Sequence, residues 1–148
     1  MSKSNTFEND LLLLIFNNTD IANIGDAGGL QNSAAAGDLY VALHTGDPGE
    51  AGTAATNEAA YGSYDRVAVA RSGAGWTVAG NSATNAALVQ FPECTSGSET
   101  ITHVSITVGG TPTTADKILY SGALSASRSV SSGIQPQFAA GALVVSED

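Results

Sequence analysis

Residues 39–49 read Leu39-Tyr40-Val41-Ala42-Leu43-His44-Thr45-Gly46-Asp47-Pro48-Gly49. Alternation sets Leu39, Val41 and Leu43 on one face and Tyr40, Ala42 and His44 on the other, the two-residue period of a β-strand. Gly46-Asp47-Pro48-Gly49 stops it, with the proline placed for a turn. The pattern recurs downstream. Arg66 to Arg71 alternates Val67 and Val69 with Ala68 and Ala70, and Trp76 to Ala79 follows the Gly73-Ala74-Gly75 turn. Ala86 to Phe91 ends at Pro92, and Thr100 to Val108 sets Val104, Ile106 and Val108 on one face. Lys117 to Leu124, Ser127 to Val130 and Gln137 to Ser146 complete the set. Gly, Ser, Thr and Pro join these segments and leave no room for the crossover helices a parallel sheet requires, so the sheets should be antiparallel.

Upstream the period changes. Residues 5–17 predict one helix, with Asn5 as cap and Glu8 at capping-box spacing. Glu8 and Asp10 also suit the positive end of the helix dipole. Leu11 to Phe16 is apolar on every side, the mark of a helix buried on several faces or clamped by another chain. Asn17 to Asp38 reads as loop, with Gly25, Gly28, Gly29 and Gly37. Gly52 to Tyr64 reads as a long, polar surface loop. The expectation is an all-β fold, an antiparallel β-sandwich or jelly-roll-like domain with one N-terminal α-helix. Residues 1–38 would form a helix-and-loop arm and residues 39–148 the β-sandwich, together a single domain.

Composition narrows the function classes. The chain has 148 residues, 43% hydrophobic and 13% charged, with a net charge of −9. That balance excludes disorder, which needs low hydrophobicity and high charge. Five basic residues cannot neutralise a phosphate backbone, so no nucleic acid is expected as partner, and no anionic membrane surface. The apolar run Leu11 to Phe16 is shorter than a signal core or a membrane span, so a soluble chain made in a cytosol is expected. One cysteine, Cys94, excludes an internal disulfide and reads as a small buried hydrophobe.

Chemistry-bearing patterns are sparse. His44 with Asp47 lacks the further ligands zinc takes, and both His44 and His103 read as ordinary hydrogen-bonded or exposed histidines. There is no Gly-x-Ser-x-Gly elbow to anchor a hydrolase triad, and the glycine-rich segments lack the strand-to-helix context of a phosphate loop. Asp47, Glu50, Glu58 and Asp65 lack the calcium-loop pattern and read as a solvated acidic loop. No catalytic, cofactor or metal residue is therefore assigned, and the chain is expected not to be an enzyme. A polysaccharide-cleaving carboxylate pair would be a spatial arrangement that sequence spacing does not reveal. Trp76 is expected in the core. Arg66 and Arg71, near Tyr61 and Tyr64, are either interface anchors, for which their residue type is favoured, or partners of nearby acids. With them, Phe7, Leu11, Leu14 and Phe16 of the helix and Phe138 are the candidate partner contacts.

The segment 39–49 resembles one found in a family of small tailed-bacteriophage structural proteins. The order of the other landmarks is similar: Thr6-Phe7-Glu8-Asn9-Asp10-Leu11-Leu12, then Tyr64-Asp65-Arg66-Val67-Ala68-Val69, then Asn85-Ala86-Ala87 with Phe91-Pro92. Thr102-His103-Val104, Leu119 to Leu124 and Pro136 to Leu143 follow. Relatives are tail-fibre-like in some cases and head decoration (cement) proteins with a sandwich or jelly-roll core in others. The resemblance implies a virion structural protein without cofactors. The chain is short and without shaft repeats, and its acidic balance suits an exterior position. The leading expectation is therefore a capsid decoration protein. It would be made in the host cytoplasm and sit on the outer surface of the capsid, bridging subunits of the major capsid protein, as a homodimer or homotrimer. The alternative is a tail-fibre or tail-tip receptor-binding module.

Overall fold

The computed structural model describes residues 2–25 and 28–148, so Asp26 and Ala27 of the expected loop lie outside the described residues. Helix α1 (Asn5–Asn17) comes first, then β1 (Asp38–His44), β2 (Val67–Ala70), β3 (Trp76–Ala79) and β4 (Ser82–Asn85). After these come β5 (Val89–Gln90), β6 (Ser98–Thr107), β7 (Ile118–Ser131), β8 (Gln137–Phe138) and β9 (Val144–Ser146). Three sheets form, in the orders β2-β1-β6-β7, β3-β4-β9 and β5-β8. The β1–β6, β6–β7, β3–β4 and β4–β9 pairings are all antiparallel. This is a mostly β architecture with one N-terminal helix, and an all-β, sandwich-like class fits it. The division of the chain differs from a simple arm and domain. Val69–Val89 and Phe138–Asp148 join Met1–Asp38 in one compact unit, and Leu39–Ala68 with Gln90–Gln137 form the other.

In the first unit α1 packs on β3 and β4. Its cap is Ser4, not Asn5: the Ser4 hydroxyl accepts from the Phe7 amide at 3.3 Å. The helix spans the expected residues 5–17, and only the cap moves back by one, so Glu8 falls past capping-box spacing. Glu8, Leu12 and Phe16, four apart, form its fully buried stripe, while Leu11, Leu13, Leu14 and Ile15 are half-buried. Phe16 meets Trp76 edge-on, with ring centroids 4.8 Å apart, and both are fully enclosed. Such an aromatic pair is worth about 0.5–1.5 kcal/mol beyond the area it buries. Of the two expectations for this apolar helix, burial within the chain's own fold accounts for Leu12 and Phe16.

β4 ends just before the expected Ala86–Phe91 strand, of which only Val89–Gln90 forms, as β5. The last residue of β4, Asn85, is buried and organises the C-terminal segment. The Asn85 amide nitrogen donates to the Ala87 and Ala139 carbonyls at 2.7 and 2.8 Å, and its oxygen accepts from the Leu143 amide at 2.9 Å. Those fixed carbonyls and amides hold residues 139–143 as a turn, which is why the expected long strand Gln137 to Ser146 is cut to two short pieces.

In the second unit β1 is buried on both faces: Leu39, Val41 and Leu43 as expected, and Ala42 and His44 as well. Residues 52–64 are the reason, and they are not the solvated loop the composition suggested. The Ala59 amide donates to Leu43 O at 2.9 Å, the Thr45 amide to Asn57 O at 2.8 Å, and Ala54, Ala59 and Tyr61 are buried. β6 also departs from the expected face. Ser105, Ile106 and Thr107 are all buried, Val104 is half-buried and Val108 is exposed. A register break accounts for the two strands expected where one forms: Ile101 pairs with Arg128 and His103 with Ala123, so Leu124 to Ser127 bulge opposite Thr102. Cys94 is fully buried and reduced, and its amide donates to Ile134 O at 2.9 Å.

Candidate functional site

The strongest polar constellation lies in the second unit, where Tyr64-Asp65-Arg66 leads out of the 52–64 segment. The Arg66 guanidinium is fully enclosed, and every one of its five N–H groups has an acceptor. Nε donates to Glu58 Oε1 at 2.6 Å and Nη2 to Glu58 Oε2 at 2.9 Å and Thr114 O at 2.9 Å. Nη1 donates to Asp116 Oδ2 at 2.7 Å and Gly109 O at 2.8 Å. Glu58 is equally committed: Oε1 also accepts from the Tyr64 hydroxyl at 3.2 Å and Oε2 from the Thr113 amide at 2.8 Å. Burial opposes the charge on Arg66, but hydrogen bonding and attraction from Glu58, then Asp116, outweigh it and raise its pKa. Gly109 is required beside this cluster, since a Cβ there would run into the Asp116 carboxyl group. The constellation ties the 52–64 and 109–116 segments together, and the Ala54 amide reinforces the tie by donating to Asp116 O at 2.9 Å.

A histidine–serine pair lies in the same unit. His44 Nδ1 is 2.9 Å from Thr56 O, which can only accept, so Nδ1 carries a proton. Nε2 is 2.8 Å from Ser105 Oγ and, in the neutral ring, accepts from that hydroxyl. This is the contact a nucleophilic serine makes with its base. Here both side chains are fully buried, and the ring leans on a backbone carbonyl rather than a carboxylate, so the hydroxyl meets no solvent-borne substrate. Desolvation lowers the His44 pKa below 6.5, against smaller raising effects of Thr56 and Glu58. Burial likewise pushes Tyr61 up to about 12 and Tyr64 upward.

The candidate contact residues scatter. Phe16 and Arg66 lie inside the chain's own fold and offer no surface, correcting their expected role: the helix turns Phe16 onto Trp76, and Glu58 and Asp116 hold Arg66. Arg71 serves the fold as well. Its guanidinium donates to the Ile15, Leu14 and Ala36 carbonyls at 2.7, 2.7 and 3.0 Å, supplying the positive charge that the last turn of α1 lacks. Phe7, Leu11, Leu14 and Phe138 are half-buried. Among the described residues no group of three or more His, Cys, Asp or Glu side chains could hold a metal ion, and no helix is long and apolar enough to cross a membrane. Sequence reading missed Asp116, Ser105 and Asn85 as organising residues. Asp116 follows a Gly109-Gly110 loop, and loop geometry rather than spacing brings it to Arg66.

No curated protein matches the chain. A family model described as Podophage GP4 fiber I protein gp80 matches residues 2–146. The match takes in both units and every segment that builds the Arg66 constellation, and the chain belongs to this family of phage structural proteins.

Proposed function

We propose that this chain is a non-enzymatic module of the virion's fibre apparatus, working through the surfaces it presents rather than through chemistry. The family description carries the reading, since it names a fibre protein over nearly the whole chain. The interior supports it: its best-formed polar clusters spend their donors and acceptors on one another, as a load-resisting part requires. The chain has no fixed-period repeat of the kind that builds a long shaft, which favours a globular element at a junction or tip. Capsid decoration is the second reading, favoured by the net charge of −9, which suits an exterior position on a DNA-filled shell. It would place the chain on the outer surface of the capsid against the major capsid protein. Quantitative mass spectrometry of purified virions separates the two. A handful of copies per particle supports the fibre reading, hundreds support decoration, and absence from the particle overturns both.

A further inference from the structure

The loop 46–57 contributes the Thr56 carbonyl that holds the buried His44 ring. The chain leaves β1 past Thr45 and returns at Glu58, which forms an isolated bridge with His44. Within the loop the hydrogen bonds are local. The Gly49 amide donates to Asp47 Oδ1 at 2.8 Å, the Gly52 amide to Gly49 O at 3.1 Å and the Thr56 amide to Thr53 O at 2.8 Å. The Asn57 side chain donates back to Asp47 O at 2.9 Å, and Gly52 lies so close to Pro48 O that a Cβ there would clash with it. Near ends and internal bonding make this an Ω-loop, a compact body able to move in one piece. Of its residues only Pro48 and Ala54 are buried, so little apolar area holds it down. Outward ties are the Ala54 amide to Asp116 O at 2.9 Å and Thr56 O to His44 Nδ1, also 2.9 Å. Glu58 is different. Arg66 grips both of its oxygens, so any motion of the loop stops there.

We infer that residues 46–57 are a flap that opens as a unit between Gly46 and Glu58, and that acid drives it open through His44. With the flap closed, the ring sits between Thr56 O and Ser105 Oγ, fully buried, where a positive charge would be cut off from water. The charged and titratable groups whose fields reach the ring are Glu58 at the flap's end, Arg66, and His103, its partner across the β1–β6 pair. The flap's own acids, Asp47 and Glu50, are exposed. Glu58 favours the charged ring, yet Arg66 and His103 oppose it and burial outweighs them all, so the closed state resists protonation. Opening the flap lets water reach the ring and restores its ordinary affinity for a proton. Proton uptake therefore favours the open form, and the flap loosens as pH falls below 6.5. The Arg66–Glu58 grip survives this opening, so the rest of the unit stays folded.

Native-state hydrogen exchange followed by NMR provides the test, with rates expressed as protection factors to remove the intrinsic effect of pH. The Ala54 amide reports the flap, and the Ala59 amide, which donates to Leu43 O beyond Glu58, is the internal control. Ala54 should be at least about tenfold less protected than Ala59, as a local opening requires. Its protection should fall further between about pH 7.5 and about pH 5, with about thirtyfold as the ceiling for one proton of ordinary histidine affinity. In H44N, with circular dichroism confirming the fold, that pH dependence should vanish. Equal protection of Ala54 and Ala59 would overturn the flap, and protection of Ala54 that ignores pH in the wild type would overturn its acid response. An H44N protein that keeps the wild-type pH dependence would assign the response to another group and overturn the role of His44. The two wild-type results decide the matter even if H44N does not fold. None of these bears on copy number per virion, so the fibre reading stands or falls independently.

Discussion

Replacing Arg66 with alanine tests the energetic core of the second unit. The substitution removes five hydrogen bonds at once and leaves Glu58, with its side chain only 3% exposed, holding a negative charge without its cation. The Tyr64 hydroxyl and the Thr113 amide still reach that carboxylate, but they are dipoles and cannot neutralise it. Removing one partner of a buried ion pair costs about 3–5 kcal/mol. The Lys3–Glu147 pair is the internal control, because its side chains keep 32% and 17% of their surface in water. Lys3→Ala should cost under about 1 kcal/mol. For a chain of this length each kcal/mol lowers the melting temperature by roughly 2–4 °C, so R66A should lose about 6–20 °C and K3A only a few degrees. Melting followed by far-ultraviolet circular dichroism measures both. If R66A melts within a few degrees of K3A, Arg66 does not hold the 52–64 and 109–116 segments together.

Further consequences follow from individual side chains. His44 keeps a lowered pKa because burial opposes its charge, so the unfolded chain takes up a proton below pH 6.5 more readily than the folded one. Stability from this group is full above that pH and falls as the solution is acidified. The urea midpoint should drop between about pH 7.5 and about pH 5 and depend less on pH in H44N; an equal slope in the two proteins would contradict this. Tyr61, raised to about 12, and Tyr64, raised further, contribute stability that is present below pH 10 and lost as alkali ionises them. Phenolate absorbance compared among wild type, Y61F and Y64F should show both rings largely protonated at about pH 11. Arg71→Ala uncaps the last turn of α1 and should cost roughly 1–3 kcal/mol by urea unfolding. Lysine there should recover only part of the loss, since it lacks the planar fork that spans three carbonyls.

Much of the fold is legible where local pattern decides structure. Alternation located β1, β2 and β3 closely, and the interruption between Leu124 and Ser127 marked the place where β7 bulges. α1 was also legible, although Ser4, as good a cap as Asn5, took the N-terminal role. Where burial depends on partners distant in sequence, local pattern misleads. Residues 52–64 look polar and small, yet Glu58 lies inside because Arg66 and the Thr113 amide satisfy its oxygens. The stretch 137–146 reads as a strand but follows the hydrogen bonds of Asn85 instead. Arg66 was singled out by residue type, which does not tell a surface anchor from a buried cation. Asp116, nine residues beyond the end of β6 with a glycine pair between, settles which it is.

Labelling intact virions with gold-conjugated antibody against this chain tests the central claim most directly. A structural module of the fibre apparatus predicts label on purified particles, confined to the fibres or their junction with the tail. Particles that carry no label, while the protein is found free in the lysate, would contradict a virion structural role altogether.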